Sequence, residues 1–285
     1  MTSPEAGVES GAPGGVQARP VVAVVQRDAV TLPRVLAAEW TKLTSLASTA
    51  WVVTGTIVAA SSLAFCLSLF AGLGDAVTGT SLAASGSVLA QLGLLVLGVL
   101  VGAGEYATGT SLSTFAAVPR RLPVLAAQVV LTAAVALVTA VVALAASVLV
   151  TTAARTGAGA SWELADPATL RAAAGYVLFL TGVAVLGVGL GALLRRPLAA
   201  LSTGVVLFVM VDQVLAANPG RVTDAVRALL PGSGTRLFAD DAQLAALAGG
   251  HGPDLGAWGG GLVLGTWCAV LVLLAGYRLV RHDIT

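Results

Sequence analysis

From residue 50 onward the chain alternates between long apolar runs and short polar clusters. Six runs stand out, at residues 50–71, 81–103, 123–151, 173–194, 197–217 and 257–277. Asp212 is the only Asp, Glu, Lys or Arg inside any of them. Each run exceeds the ~18 residues that mark a membrane-spanning candidate. At about 1.5 Å per residue, each covers a ~30 Å hydrocarbon core. Lipid cannot satisfy exposed backbone N–H and C=O groups, so every run is expected to be an α-helix. A β-barrel would need shorter, alternating segments, and none occur. The run at 123–151 is longer than a bilayer needs and is expected to tilt or project into water. The pattern predicts an all-α, polytopic integral membrane protein with six transmembrane helices.

Two segments precede the first span. Residues 1–30 read as a flexible tail rich in Gly, Pro, Ser and Ala. They are not read as a signal peptide, because the apolar stretch 21–25 is too short for one. Residues 31–47, TLPRVLAAEWTKLTSLA, predict an interfacial amphipathic helix. Leu32, Leu36, Trp40, Leu43 and Leu46 would share one face, and Arg34, Thr41, Lys42 and Ser45 another. Thr31 can cap its start, and Pro33 suits its first turn. It either holds the first span in place or also meets a partner.

Composition agrees with the pattern, at 57% hydrophobic, 10% charged and a mean hydropathy of +0.93. A soluble domain carries about 25% charged residues. Charge adds orientation. Arg19, Arg27, Arg34, Lys42, Arg120, Arg121, Arg195, Arg196, Arg278 and Arg281 fall at one end of the spans. The opposite end holds Arg155, Arg171, Arg221, Arg227 and Arg236, offset by Asp75, Glu163, Asp166, Asp224, Asp240, Asp241 and Asp254. The positive-inside rule then places both termini in the cytoplasm.

Polar residues inside the spans are few. Asp212 lies about 15 residues into the fifth span, roughly 22 Å from its cytoplasmic end. It is a candidate lining or gate residue of a pathway, or a carboxylate bonded to the loop 218–256. Gln91 and Gln128 suit interhelical hydrogen bonds. Gly98/Gly102, Gly187/Gly191 and Gly261/Gly265 allow close helix packing. In the loop, residues 222–230 and 241–248 predict short helices, with Leu229, Leu230, Leu237 and Phe238 pressed on the membrane or the span ends. Cys66 and Cys268 read as small core residues rather than a disulfide.

The segment 104–123, GEYATGTSLSTFAAVPRRLP, is polar between two apolar spans. Thr108, Thr110 and Ser111 can cap a short helix through about residue 117, and Val118–Pro119 ends it. Such an element forms a stiff elbow joining two membrane helices, or a turn that only serves topology.

EWTKLTS at 39–45, GEYATGTSLSTFAAVPRR at 104–121, LLRRP at 193–197 and LLPGSG at 229–234, in this order, resemble the permeases of the ABC type-two transporter family, in actinobacterial form. The resemblance covers nearly the whole chain after residue 30. It implies an exporter's transmembrane subunit that pairs with a separate ABC ATPase (nucleotide-binding) subunit. It also implies a homodimer or a heterodimer with a second permease in the cell (plasma) membrane. The loop after the second span, 104–122, would be a coupling helix resting on the ATPase. Carried over residue by residue, Glu105, Tyr106, Thr108, Gly109, Thr110, Phe115, Arg120 and Arg121 would form the coupling surface. Glu39 and Lys42 would lie beside it. The chain departs from the family pattern at Ala107, where a basic residue is expected, and at Ser111–Ser113.

Residue chemistry points the same way. A P-loop needs a glycine loop ending in Lys-Ser/Thr, and Lys42, the one lysine, follows no glycine loop. ATP and magnesium are therefore expected only in a partner subunit, with no cofactor or metal in this chain. His251 and His282 are expected on opposite sides of the membrane and cannot form a Ser–His or zinc centre. A catalytic role is not expected, nor is a nucleic-acid partner; the lipid bilayer is. The alternatives are a membrane scaffold or immunity-type protein without a motor, or a secondary transporter.

Overall fold

A computed structural model describes residues 32–70, 79–107, 121–154, 166–250 and 252–281. Among these residues the fold is entirely helical, and six helices are long and apolar enough to cross a membrane. Helix α1 spans Leu32–Ser45, and α2, the first span, Ala47–Phe70. The second span is built from α3, Gly79–Ala84, and α4, Ser87–Ala107. The third is α5, Arg121–Ala154, and the fourth α6, Pro167–Leu194. The fifth, α7, covers Pro197–Ala216, and the sixth, α10, Gly256–Arg281. Between the last two lie α8, Arg221–Leu229, a 3₁₀ turn at Pro231–Leu237, and α9, Asp241–Ala248. The tail 1–30 lies outside the described residues.

Three boundaries differ from the hydropathy reading, each for a local reason. The second span breaks at Ser85–Gly86 instead of running unbroken. A Cβ on Gly86 would collide with the backbone carbonyl of Ala60 on α2, so the chain bends where it touches its neighbour. The fourth span starts at Pro167, not residue 173. Asp166 caps it by accepting from the N–H groups of Ala168 and Thr169, and Pro167 fits the first turn. The backbone hydrogen bond from Ala168, more than that from Thr169, holds the Asp166 carboxyl below the usual carboxylate range. Helix α4 continues through Ala107 and α5 begins at Arg121, so the helices extend into the expected 104–122 loop.

The core forms around α4 and α6. Leu94, Leu95, Leu97 and Val99 pack against Tyr176, Phe179, Leu180, Val183 and Leu186. The two helices run parallel, as alternating spans require. They touch through backbone. A Cβ on Gly98 would overlap the Ala184 carbonyl, and one on Gly102 the Val188 carbonyl. From the other side, a Cβ on Gly187 would sit 2.8 Å from the Leu95 oxygen, and one on Gly191 2.9 Å from the Ala103 nitrogen. Two of the three small-residue pairs therefore meet each other. The third does not act as a pair, since Gly265 faces open space. Gln91 and Gln128 are buried in the bundle. Cys268 donates to the Gly182 carbonyl, while Cys66 lies exposed on α2 rather than in the core.

Candidate functional site

At the arginine-rich end, α4 and α6 finish side by side. Tyr106 sits on the last turn of α4. Arg195 caps α6 in the left-handed region, at φ 56°, and its N–H donates to Gly191 O at 2.9 Å. Glycine usually fills such a cap, so a side chain here needs a reason. The Arg195 guanidinium lies 5.2 Å from the centroid of the Tyr106 ring, a cation–π contact. Its Nε and Nη2 are buried without a hydrogen-bond partner among the described residues. From α10, Arg278 donates to the Leu193 carbonyl, one of the carbonyls left open at the end of α6. Arg281 stacks on Tyr277 at 4.8 Å. Three spans thus meet through arginine.

Helix α1 docks on the start of α5 through Val35, Val124 and Ala127, with Leu36 beside them. Its inward face carries Val35, Glu39 and Leu43, whereas Trp40 and Leu46 are exposed. The expected apolar stripe through Trp40 is therefore rotated. Glu39 accepts from Lys42 Nζ at 2.9 Å, with the carboxylate side chain 7% exposed and the lysine 42%. Lys42 is part-exposed beside its ion pair, whereas Glu39 is turned inward against the bundle. Of the other coupling candidates, Thr108, Gly109, Thr110, Phe115 and Arg120 lie outside the described residues. The backbones of Glu105 and Arg121 close α4 and open α5. Sequence reading counted Arg278 only as a charge, and Arg195 as a charge and a member of the LLRRP motif. The available signal was an Arg directly after a glycine-rich helix end, where glycine is usual.

At the opposite end, Asp212 is engaged. Arg227 Nε donates to Oδ1 at 2.9 Å and Nη2 to Oδ2 at 3.2 Å, a fork-to-fork pair. The hydrogen bond it donates to Asp212 raises the Arg227 pKa further. Asp212 follows a π-helical turn, Val206–Met210, in which Val211 N–H reaches back to Val206 O. Such turns come from local insertion and often mark functional positions.

The segment after α8 is not a loose loop. Pro231, Gly232, Ser233, Gly234 and Leu237 are buried between α6 and α10. Glycines admit it, since a Cβ on Gly175 would overlap the Leu237 carbonyl and one on Gly260 the Ser233 carbonyl. Phe238 packs on Tyr176 and Phe179, at centroid distances of 5.7 and 5.4 Å. Arg171 donates to Leu237 O and Ala239 O and pairs with Asp241 at 3.2 Å. Trp267 Nε1 donates to Leu229 O at 2.9 Å. Asp240 and Gln243 form a capping box that starts α9. Leu237 and Phe238 press on the span ends as expected, while Leu229 is exposed.

These features define an all-α polytopic membrane protein with an arginine-clamped end and a capped opposite end. No protein-family model matches the chain, and no curated protein matches it in sequence. Among the described residues, no group of three or more His, Cys, Asp or Glu side chains could hold a metal ion.

Proposed function

We propose that the chain is the transmembrane permease subunit of an ATP-binding cassette exporter in the cell membrane, with the arginine-rich end and both termini cytoplasmic. It forms a substrate pathway with a second permease and takes its energy from a separate nucleotide-binding subunit. The observation that carries the reading is that both described ends of 104–122, the last turn of α4 and the first of α5, belong to membrane-spanning helices of the bundle. The segment leaves α4, the helix packed backbone-to-backbone on α6, and enters α5 directly. A push delivered at the described end of α4 reaches the middle of the bundle through the backbone contact with α6. The sequence motifs at 39–45, 104–121, 193–197 and 229–234 support the same reading.

A secondary transporter would need titratable or ion-binding groups in its spans. Asp212, the one in-span acid of the sequence reading, is already committed to Arg227. That favours an external motor. The exposed groove between α5 and α6, about 800 Å³ and lined by Val141, Leu144, Val148, Leu170 and Val177, suits hydrocarbon rather than polar cargo. The test is purification from native membranes under mild detergent. A Walker-type ATPase should co-purify in fixed stoichiometry, and Arg120→Ala/Arg121→Ala should weaken that association while the chain still folds. Active transport by the purified chain with no ATPase present would overturn the reading.

A further inference from the structure

We infer that the second and fourth spans form one rigid lever, clamped by Arg195 on Tyr106, and that the fifth span is the part that moves against it. The contrast in packing is large. Within an 18-residue apolar stretch, 61% of the residues are buried in each of the second and fourth spans, and 17% in the fifth. Four glycines bring α4 and α6 into backbone contact, where sliding or twisting would create overlap at once. Packed backbones behave as a single body.

The fifth span differs in three ways. Its chain link to α6 is two residues, Arg195 and Arg196, with Pro197 starting α7, and its packing on α4 and α6 runs through side chains, Phe208 on Phe179 and Gly204 beneath Leu95, rather than backbone on backbone. Its ladder is interrupted at Val206–Met210, which leaves a natural place to bend. Its far end is held by the Asp212–Arg227 pair. A hinge, a soft turn and a releasable latch therefore follow one another along one helix.

Arg195 sits at the root of the hinge as a positioning residue. Its φ of 56° is costly for a residue other than glycine. A cap alone would be served better by glycine. What glycine could not supply is the stack on Tyr106, which ties the hinge root to the end of α4. As a lever, the arrangement rests on the transport reading. As mechanics, it can be tested on this chain by itself, so the two can fail separately.

The experiment uses the full chain in lipid nanodiscs, with Cys66→Ala and Cys268→Ala, carrying spin labels on exposed positions at the far end. One pair, Val88→Cys with Leu178→Cys, reports α4 against α6. The other, Val88→Cys with Val214→Cys, reports α4 against α7. Asp212→Asn frees the latch and Arg195→Gly frees the hinge root. In both variants the Val88–Val214 distance distribution is expected to roughly double in width, while Val88–Leu178 stays single and narrow. Tyr106→Phe keeps the ring and should keep the parent distributions, whereas Tyr106→Ala should copy Arg195→Gly. Thermal unfolding of Arg195→Gly should be no earlier than that of the parent, which separates loss of the clamp from loss of the cap. Equal broadening of both pairs, or no broadening of Val88–Val214 in either variant, would overturn the proposal.

Discussion

Gly98→Ala is expected to destabilise the protein strongly, although alanine is the better helix former. In an exposed helix the exchange gains about 1 kcal/mol of helix propensity. Here the new methyl would occupy the space of the Ala184 carbonyl oxygen. That atom belongs to a helix backbone and cannot rotate away, so α4 and α6 must separate. Overpacking of this kind costs about 1–3 kcal/mol or more, and parting the helices also opens gaps along Leu95, Val99 and Leu186. The net loss should lower the unfolding temperature by roughly 5 °C. Gly98→Leu should prevent accumulation of folded protein. Gly265→Ala is the control, because its Cβ would meet nothing within 4 Å. It should be neutral or slightly stabilising. Tryptophan fluorescence during heating in detergent reads all three, and equal behaviour of Gly98→Ala and Gly265→Ala would contradict the packing described above.

The second large effect concerns the far end. Asp212→Ala leaves the Arg227 guanidinium, 35% exposed, without its carboxylate, and Arg227→Ala leaves Asp212, 21% exposed, alone at the edge of a span. Losing one partner of a charge-assisted hydrogen bond costs about 1.5–3 kcal/mol, less than for a fully buried pair. The loss is local. Helix α8 would remain held by the buried Ala228 and by the Trp267 bond to Leu229 O, so its amides should exchange with solvent faster than those of α6. The double variant Asp212→Ala/Arg227→Ala should recover part of the stability, because no unpaired charge remains. The swapped pair, Asp212→Arg/Arg227→Asp, should recover more of the ordering of α8. Hydrogen exchange across 221–229 measures both, and unchanged exchange in Asp212→Ala would mean that the latch carries no restraint.

The spans were legible in the sequence because lipid leaves so few options. A charge-free run longer than ~18 residues has only one way to satisfy its backbone in a bilayer. Their polar ends were harder to read. Hydropathy stops at the first charge, but Arg171 and Arg278 belong to helices because their long side chains reach acceptors, Ala239 O and Leu193 O. The partner of each glycine pair was not legible, since spacing shows that a helix has a small-residue face but not what meets it. Likewise the buried place of PGSGTRL was not legible, since it depends on Gly175 on α6 and Gly260 on α10, far away in sequence. Asp212 stood out as a lone in-span charge, yet its match to Arg227 depended on α8 folding back 15 residues later. On α1 the periodicity was correct and the direction was not. The buried face follows Val35, Glu39 and Leu43 because Lys42 neutralises Glu39, which a count of apolar residues cannot anticipate.

The account turns on whether a motor subunit grips the segment 104–122. Photo-reactive side chains placed singly at 106, 113 and 120 in the assembled native complex measure this directly. Cross-links to a nucleotide-binding subunit from these positions, changing with ATP and absent from a probe at 250, are the predicted result. Modification of 113 by a membrane-impermeant reagent added only to the cell exterior, with no cross-link to any ATPase, would contradict it.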